Sequence, residues 1–186
     1  MQQGMDMRRL WPLLLAATLT TMASASPAPS NALLARLTAD DQAARKGAYK
    51  DIDWDKLSRE DAARRTQVLA FIREGTVRTP EDYCNAALIF QHGETIDDIR
   101  LAWSLATTSR ALEPASRRCR WLSAAAWDRI MMQLKKPQWY GTQFAKGASG
   151  QWELYQVDET AVTDSDRQEL DVPPLETSRA MAADIR

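Results

Sequence analysis

Apolar residues between positions 58 and 134 recur every three to four residues in four successive segments, which is the period of an amphipathic α-helix. Favourable capping residues precede the segments, and Gly75, Gly93 and Glu113-Pro114 close three of them. The predicted helices begin at Ser58, Thr79, Thr95 and Ala115 or Ser116, and the last one ends near Leu134. Because the connections between the last three helices are short, we expect these helices to pack antiparallel.

The pattern changes after Pro137, where two strand-like runs at 138–144 and 151–157 flank a turn-forming segment. An isolated β-hairpin is marginal in water, so this hairpin is expected to lie against the helices. A short helix is predicted from Thr163, and a last helix over 176–185. The sequence therefore predicts a mainly α fold: an antiparallel helical domain with one C-terminal β-hairpin, at about 138–157, packed on it.

The first 25 residues have the pattern of a secretory signal peptide. Arg8 and Arg9 precede a short apolar stretch, and Ala23-Ser24-Ala25 is typical of a cleavage site. The alternative, an uncleaved membrane anchor, needs about 20 apolar residues, and threonines and Pro12 interrupt this stretch. We therefore predict an exported protein that is periplasmic or secreted.

Removing residues 1–25 from the 186-residue chain leaves 161 residues, the size of one ordinary domain. Residues 26–57 are predicted to form a tether and an N-terminal helix capped by Asn31, followed by a connector over 40–56. Residues 58–186 are predicted to form the single helical domain.

Charge and histidine content narrow the possible partners. The chain has 24 basic and 25 acidic side chains, and this balance predicts binding neither to nucleic acid nor, after cleavage, to a membrane. His92 is the only histidine, so a His-rich zinc site is excluded and no cofactor is predicted. The sequence does not indicate an oligomeric state.

Cys84 and Cys119 are the only cysteines, and export would place them where disulfides persist. Each lies on a predicted helix, and facing helices can bring Cα atoms to the spacing of about 5.5 Å that a bridge needs. Two buried thiols are the alternative. A thiol nucleophile activated by His92 is a further alternative, which the spacing does not support.

Two charged positions are candidates for chemistry. His92 lies at a helix C-terminus, where the helix dipole favours a protonated ring, although it could simply cap the last carbonyls. Asp128 lies on an otherwise apolar helix stripe, where an unpaired carboxylate would cost several kcal/mol. Its partner is expected to be His92, an arginine, or hydroxyl and amide groups of the hairpin. In the last case Asp128 would be a buried polar staple that docks the hairpin.

The run at 138–143 is polar and aromatic but carries no charge. In an extended strand, Gln138, Tyr140 and Thr142 would project from one face and Gln143 from the other. Glutamine side chains cannot transfer protons, so this run favours a binding or positioning role over acid–base catalysis.

Several polar motifs together resemble a bacterial family known as domain-of-unknown-function family six-six-two-four, over about residues 38–178. They are Asp41-Gln42-Ala43-Ala44-Arg45, Gln91-His92, Asp128-Arg129, Gln138-Trp139-Tyr140-Gly141-Thr142-Gln143 and the segment from Arg167 to Leu175. The chain departs from the family pattern at Gly93 and at Asp171. The resemblance implies a shared arrangement of polar groups and supplies no activity.

We expect six of these residues to line one concave polar surface: Gln91, His92, Asp128, Arg129, Tyr140 and Gln143, with Gln138 and Thr142 as further ligand contacts. The leading hypothesis is a non-catalytic module that binds a small polar ligand, a peptide or a cell-envelope component. One alternative is a hydrolase in which His92 is a general base oriented by Asp128, with Arg129 stabilising negative charge. A structural protein-interaction module is the other.

Overall fold

A computed structural model describes residues 28–185, except for the side chain of Tyr49. The predicted signal peptide lies outside the described residues. Within them, no helix is long and apolar enough to cross a membrane. The helices and strands are α1 (Ala32–Ala44), α2 (Trp54–Arg73), α3 (Pro80–Gln91), α4 (Ile96–Leu112), α5 (Arg117–Gln133), β1 (Phe144–Lys146), β2 (Trp152–Leu154), α6 (Asp164–Glu169) and α7 (Leu175–Met181). The predicted class, mainly α with one C-terminal hairpin, is confirmed.

Local capping signals set three of the helix starts. Thr79, Thr95 and Thr163 each accept a hydrogen bond from a backbone N–H three residues later, and the acid at that later position bonds back to the threonine N–H. These reciprocal bonds satisfy donors that the first turn of a helix leaves free. The predicted starts of α3, α4 and α6 are therefore confirmed.

Helix α3 lies at the centre of the core and contacts α1, α2, α4 and α5. Phe90 on α3 packs with Leu34, Ile99 and Leu122 from three other helices, and all four side chains are almost completely buried. Cys84 and Cys119 form a disulfide between α3 and α5, with their Cα atoms 5.8 Å apart. The disulfide is therefore confirmed, and the two alternatives with free thiols are excluded.

The N-cap of α2 lies five residues before the predicted cap. Asp53 is the N-cap, and its carboxylate accepts a hydrogen bond of 3.0 Å from the backbone N–H of Lys56. Ser58, the predicted cap, lies inside the helix, where its hydroxyl donates to Glu94. The predicted connector over 40–56 is correspondingly short, because α1 extends to Ala44 and buries the side chain of Asp41.

The hairpin is shorter than predicted, and its first strand begins at Phe144 instead of Gln138. β1 and β2 pair antiparallel, with Phe144 opposite Leu154. Residues 138–143, predicted to be the first strand, contribute only an isolated bridge between Gln138 and Val157. We call residues 138–143 the Asp128 loop, because the carboxylate of Asp128 determines their conformation.

Candidate functional site

The Asp128 carboxylate is completely buried and accepts four hydrogen bonds from the Asp128 loop. Its Oδ1 accepts from the backbone N–H groups of Trp139 and Tyr140, at 2.8 and 2.9 Å. Its Oδ2 accepts from the N–H and the hydroxyl of Thr142, at 3.0 and 2.8 Å. Gly141, between these donors, has a φ of +84°, which a glycine adopts without strain. Asp128 thus folds the loop around itself.

Two glutamines close the same loop. Gln138 is completely buried, and its side-chain amide donates to the carbonyls of Gln143 and Tyr155, both at 2.9 Å. Its Oε1 accepts from the backbone N–H of Gln143 at 2.9 Å. Gln143 in turn donates to the carbonyl of Ala125 on α5 at 3.2 Å. These amides join the loop, the second half of the hairpin and α5.

Arg167 on α6 holds the opposite side of the loop. Its guanidinium donates to the carbonyl of Tyr140 at 3.0 Å and to that of Trp139 at 2.9 Å. The N–H groups of Trp139, Tyr140 and Thr142 therefore bind Asp128, and the carbonyls of Trp139 and Tyr140 bind Arg167. Burial raises the pKa of Asp128, and the hydrogen bonds from Tyr140, Trp139 and Thr142 limit that rise. This is the arrangement of a structural staple.

His92 caps the C-terminus of α3 and pairs with an acid that the sequence did not single out for this role. Its Nδ1 lies 3.2 Å from Oδ1 and 3.1 Å from Oδ2 of Asp41 on α1. Gln42 and Arg45 also donate to this carboxylate, at 2.8 and 2.9 Å. Burial opposes ionisation of Asp41, but the hydrogen bond and charge of His92, followed by Gln42 and Arg45, outweigh burial and lower its pKa.

A second buried acid extends this group to α2. Asp61 accepts from Arg45 and from Arg64, each at 2.5 Å. Arg64 also lies 3.7 Å from Oδ1 of Asp41. Two carboxylates and two guanidiniums thus form a network in which each charge has an opposite partner. The network fixes the position of the His92 ring.

The His92 ring and this network border a cavity of about 640 Å³, which we call the His92 cavity. It is lined by Arg45, Trp54, Leu57, Ser58, Asp61, His92, Gly93, Glu94, Arg129, Gln133 and Trp152. Burial and the neighbouring charge of Arg45 lower the pKa of Arg129, which is partly exposed. The arrangement offers an imidazole and two guanidiniums to a molecule bound in the cavity.

The structure divides the predicted site residues instead of joining them in one concave surface. His92 and Arg129 line the His92 cavity. Tyr140 lines a separate cavity of about 190 Å³ with Trp103, Trp127 and Trp139. The other predicted residues hold structure together or are buried: Asp128, Gln138, Thr142 and Gln143 in the Asp128 loop, and Gln91 on α3.

The predicted orientation of His92 by Asp128 is therefore wrong, because both oxygens of Asp128 bind the loop and Asp41 holds the imidazole. Sequence reasoning had no reason to pair residues 51 positions apart. The one signal for Asp41 and Arg45 was their place in the family motif. In the described part of the chain, no group of three or more His, Cys, Asp or Glu side chains could hold a metal ion.

Comparisons with protein-family models, with curated proteins and with solved structures find no match to this chain. The family resemblance therefore stays a prediction. The geometry of the two polar regions is the basis for a functional proposal.

Proposed function

We propose that this protein binds a small polar ligand in the His92 cavity without covalent chemistry. The proposal depends mainly on one observation: polar groups that line the cavity are held in position by other protein groups. The imidazole of His92 and the guanidinium of Arg45 are both held by the buried carboxylate of Asp41. Groups that are fixed before the ligand arrives lose little entropy on binding, so such a wall favours recognition.

The size and lining of the cavity support a small ligand. Its volume of about 640 Å³ lies within the range of about 300–1,000 Å³ that small-molecule sites occupy. Trp54 and Trp152 supply large aromatic surfaces beside the polar groups. A short peptide or a component of the cell envelope could offer polar groups to His92 and the arginines and apolar surface to the tryptophans. The predicted export of the protein would bring it to such molecules.

A thermal-shift screen of the protein against cell-envelope saccharides and short peptides tests this proposal. A ligand at 100 times its dissociation constant stabilises the folded state by about 2.7 kcal/mol, which raises the melting temperature measurably. Gln133→Trp places a large side chain at the cavity and should abolish the shift. Gln67→Trp, on an exposed part of α2, is the matched control and should preserve it. A shift that both variants retain would assign the ligand to another surface.

A second candidate, hydrolysis with His92 as general base, is favoured by the hydrogen bond between His92 and Asp41. A carboxylate on Nδ1 fixes the tautomer and the orientation of an imidazole, as in enzymes that use histidine as a base. In this proposal Asp41 takes the orienting role that the sequence gave to Asp128. The test is turnover of ester and amide substrates by the protein and by Asp41→Asn. Equal rates of turnover by the wild type and by Asp41→Asn would reject this candidate.

The third hypothesis, a structural interaction module, is not favoured by a specific observation. It predicts a continuous exposed apolar surface and no cleft. The structure contains clefts, and its exposed large apolar side chains lie on several elements, such as Leu33 on α1, Trp121 on α5 and Met181 on α7.

A further inference from the structure

We infer that the ligand of the His92 cavity carries an anionic group, a carboxylate or a phosphate, that binds between Arg129 and Arg45. The inference rests on the proposed function, because it names the chemistry of a ligand for the same cavity. It also assigns to Arg129 the primary contact with that ligand.

The inference depends on one observation: the guanidinium of Arg129 has no counter-ion among the described side chains. Among the side chains that the structure describes, none forms a salt bridge or a hydrogen bond with Arg129. Arg129 is nevertheless partly buried in the cavity wall, and the charged neighbour that affects it is another cation, Arg45. Burying a charge without a partner costs free energy. Folding alone therefore gives no reason to hold Arg129 in this place.

The neighbouring carboxylates are already engaged. Asp41 accepts from His92, Gln42 and Arg45, and Asp61 accepts from Arg45 and Arg64. Glu94, the remaining acid that lines the cavity, accepts from the neutral hydroxyl of Ser58, and no salt bridge joins it to Arg129 in the described part of the chain. No acid in the described part of the chain pairs with Arg129, so a bound anion would supply its counter-charge.

Other arginines of the same domain show what a structural role looks like. Arg64 and Arg167 are more deeply buried than Arg129, and each is paired with at least one acid and makes two or more hydrogen bonds. Arg129 is partly buried, and no side chain that the structure describes pairs with it. A planar guanidinium can bind a carboxylate or a phosphate through two parallel hydrogen bonds, so these are the anions that fit it.

The decisive experiment compares ligand pairs that differ in one anionic group. N-acetylmuramate and N-acetylglucosamine differ by a lactyl carboxylate, and glucose 6-phosphate and glucose differ by a phosphate. Isothermal titration of the full-length protein should give at least about tenfold tighter binding of the anionic member of one pair, as expected for charge-assisted hydrogen bonds. The pair that shows the difference identifies carboxylate or phosphate as the group.

Arg129→Gln should remove this preference, and Arg129→Lys should keep part of it, because lysine preserves the charge but not the planar fork. Arg36→Gln is the matched control, since Arg36 is exposed on α1 and does not line the cavity. It should bind as the wild type does. The melting temperature of unliganded Arg129→Gln should equal or exceed that of the wild type, whereas a structural arginine would lower it.

Three outcomes would overturn the inference. One is equal affinity for both members of each pair, and another is a preference that survives in Arg129→Gln. The third is no binding of either anionic compound or of inorganic phosphate at millimolar concentration. In each case the proposed function survives if the wider screen finds a neutral ligand that Gln133→Trp no longer binds. It fails separately if that screen finds none.

Discussion

The Asp128 loop and the His92 cavity are both built from buried or half-buried charged groups, but they differ in how completely those groups are paired. In the loop, both oxygens of Asp128 and the guanidinium of Arg167 bind protein groups. In the cavity, Asp41 and Asp61 are paired with cations, yet no side chain that the structure describes pairs with the guanidinium of Arg129. Both regions contain residues from the motifs that resemble family six-six-two-four. Pairing, more than polarity or burial, separates residues that hold the fold from residues that are available to a ligand.

The largest expected effect comes from removing the acid at the centre of the loop. Asp128→Ala removes a completely buried acceptor and leaves four part-buried donors without it, so we expect it to lower the free energy of unfolding by about 3–5 kcal/mol. Urea unfolding measures the change. Asp97→Ala is the control, because Asp97 is exposed and its salt bridge with Arg100 lies on the surface. A loss below about 1 kcal/mol in Asp128→Ala would contradict the structural role of the loop.

A matched pair of arginine variants sharpens the comparison. Arg167→Gln removes donors from the carbonyls of Trp139 and Tyr140 and should cost about 2–3 kcal/mol of unfolding free energy. Arg129→Gln should change the same quantity by less than about 0.5 kcal/mol, because no partner in the described chain loses a bond. Urea unfolding measures both changes. Equal losses of unfolding free energy in the two variants would contradict the proposed difference between the regions.

The smallest effect is a dependence on pH that has opposite signs in the two regions. Asp41 has a lowered pKa, so its ionisation contributes stability above its unfolded value of 3.8, and this contribution is lost as the pH falls through the folded value. Asp128 has a raised pKa, so its proton binding favours the folded state more as the pH falls through the folded value towards 3.8.

Unfolding free energies measured between pH 2 and pH 6 test the first of these signs, at roughly 0.5-unit intervals. The wild type should lose stability below pH 3.8 more steeply than Asp41→Asn does. The reference variant is Asp40→Asn, because Asp40 is the exposed neighbour on α1, and it should follow the wild-type curve. Parallel curves for the wild type and Asp41→Asn would show that Asp41 is not held in its ionised form by folding.

Local signals explain which parts of the fold the sequence predicts. The caps at Thr79, Thr95 and Thr163 act within four residues, so their helices start where expected. Two local signals compete near α2, and Asp53 is the cap while Ser58 lies inside the helix. The later start of the first strand has a tertiary cause. The acceptor that folds residues 138–143 lies on α5, and strand periodicity contains no information about it.

The candidate site was predictable only in part, for the same reason. The sequence shows that Asp128 needs a partner, and of the three kinds of partner expected the structure shows the hydroxyl and amide groups of the predicted hairpin. The pairing of His92 with Asp41 joins α3 to α1 across 51 positions, and periodicity cannot reveal it. Arg129 could be named from its motif, but its lack of a partner is a property of the packed structure.

The glycine at the tip of the Asp128 loop places a narrow limit on how this protein can vary. A Cβ atom at Gly141 would lie 3.2 Å from Cδ1 of Leu175 on α7, in a backbone conformation that side chains rarely adopt. Even alanine would have to displace the final helix or unwind the tip. In a saturation library selected for folding, position 141 should therefore remain glycine, while the neighbouring turn at Gly150, open to solvent, should accept asparagine.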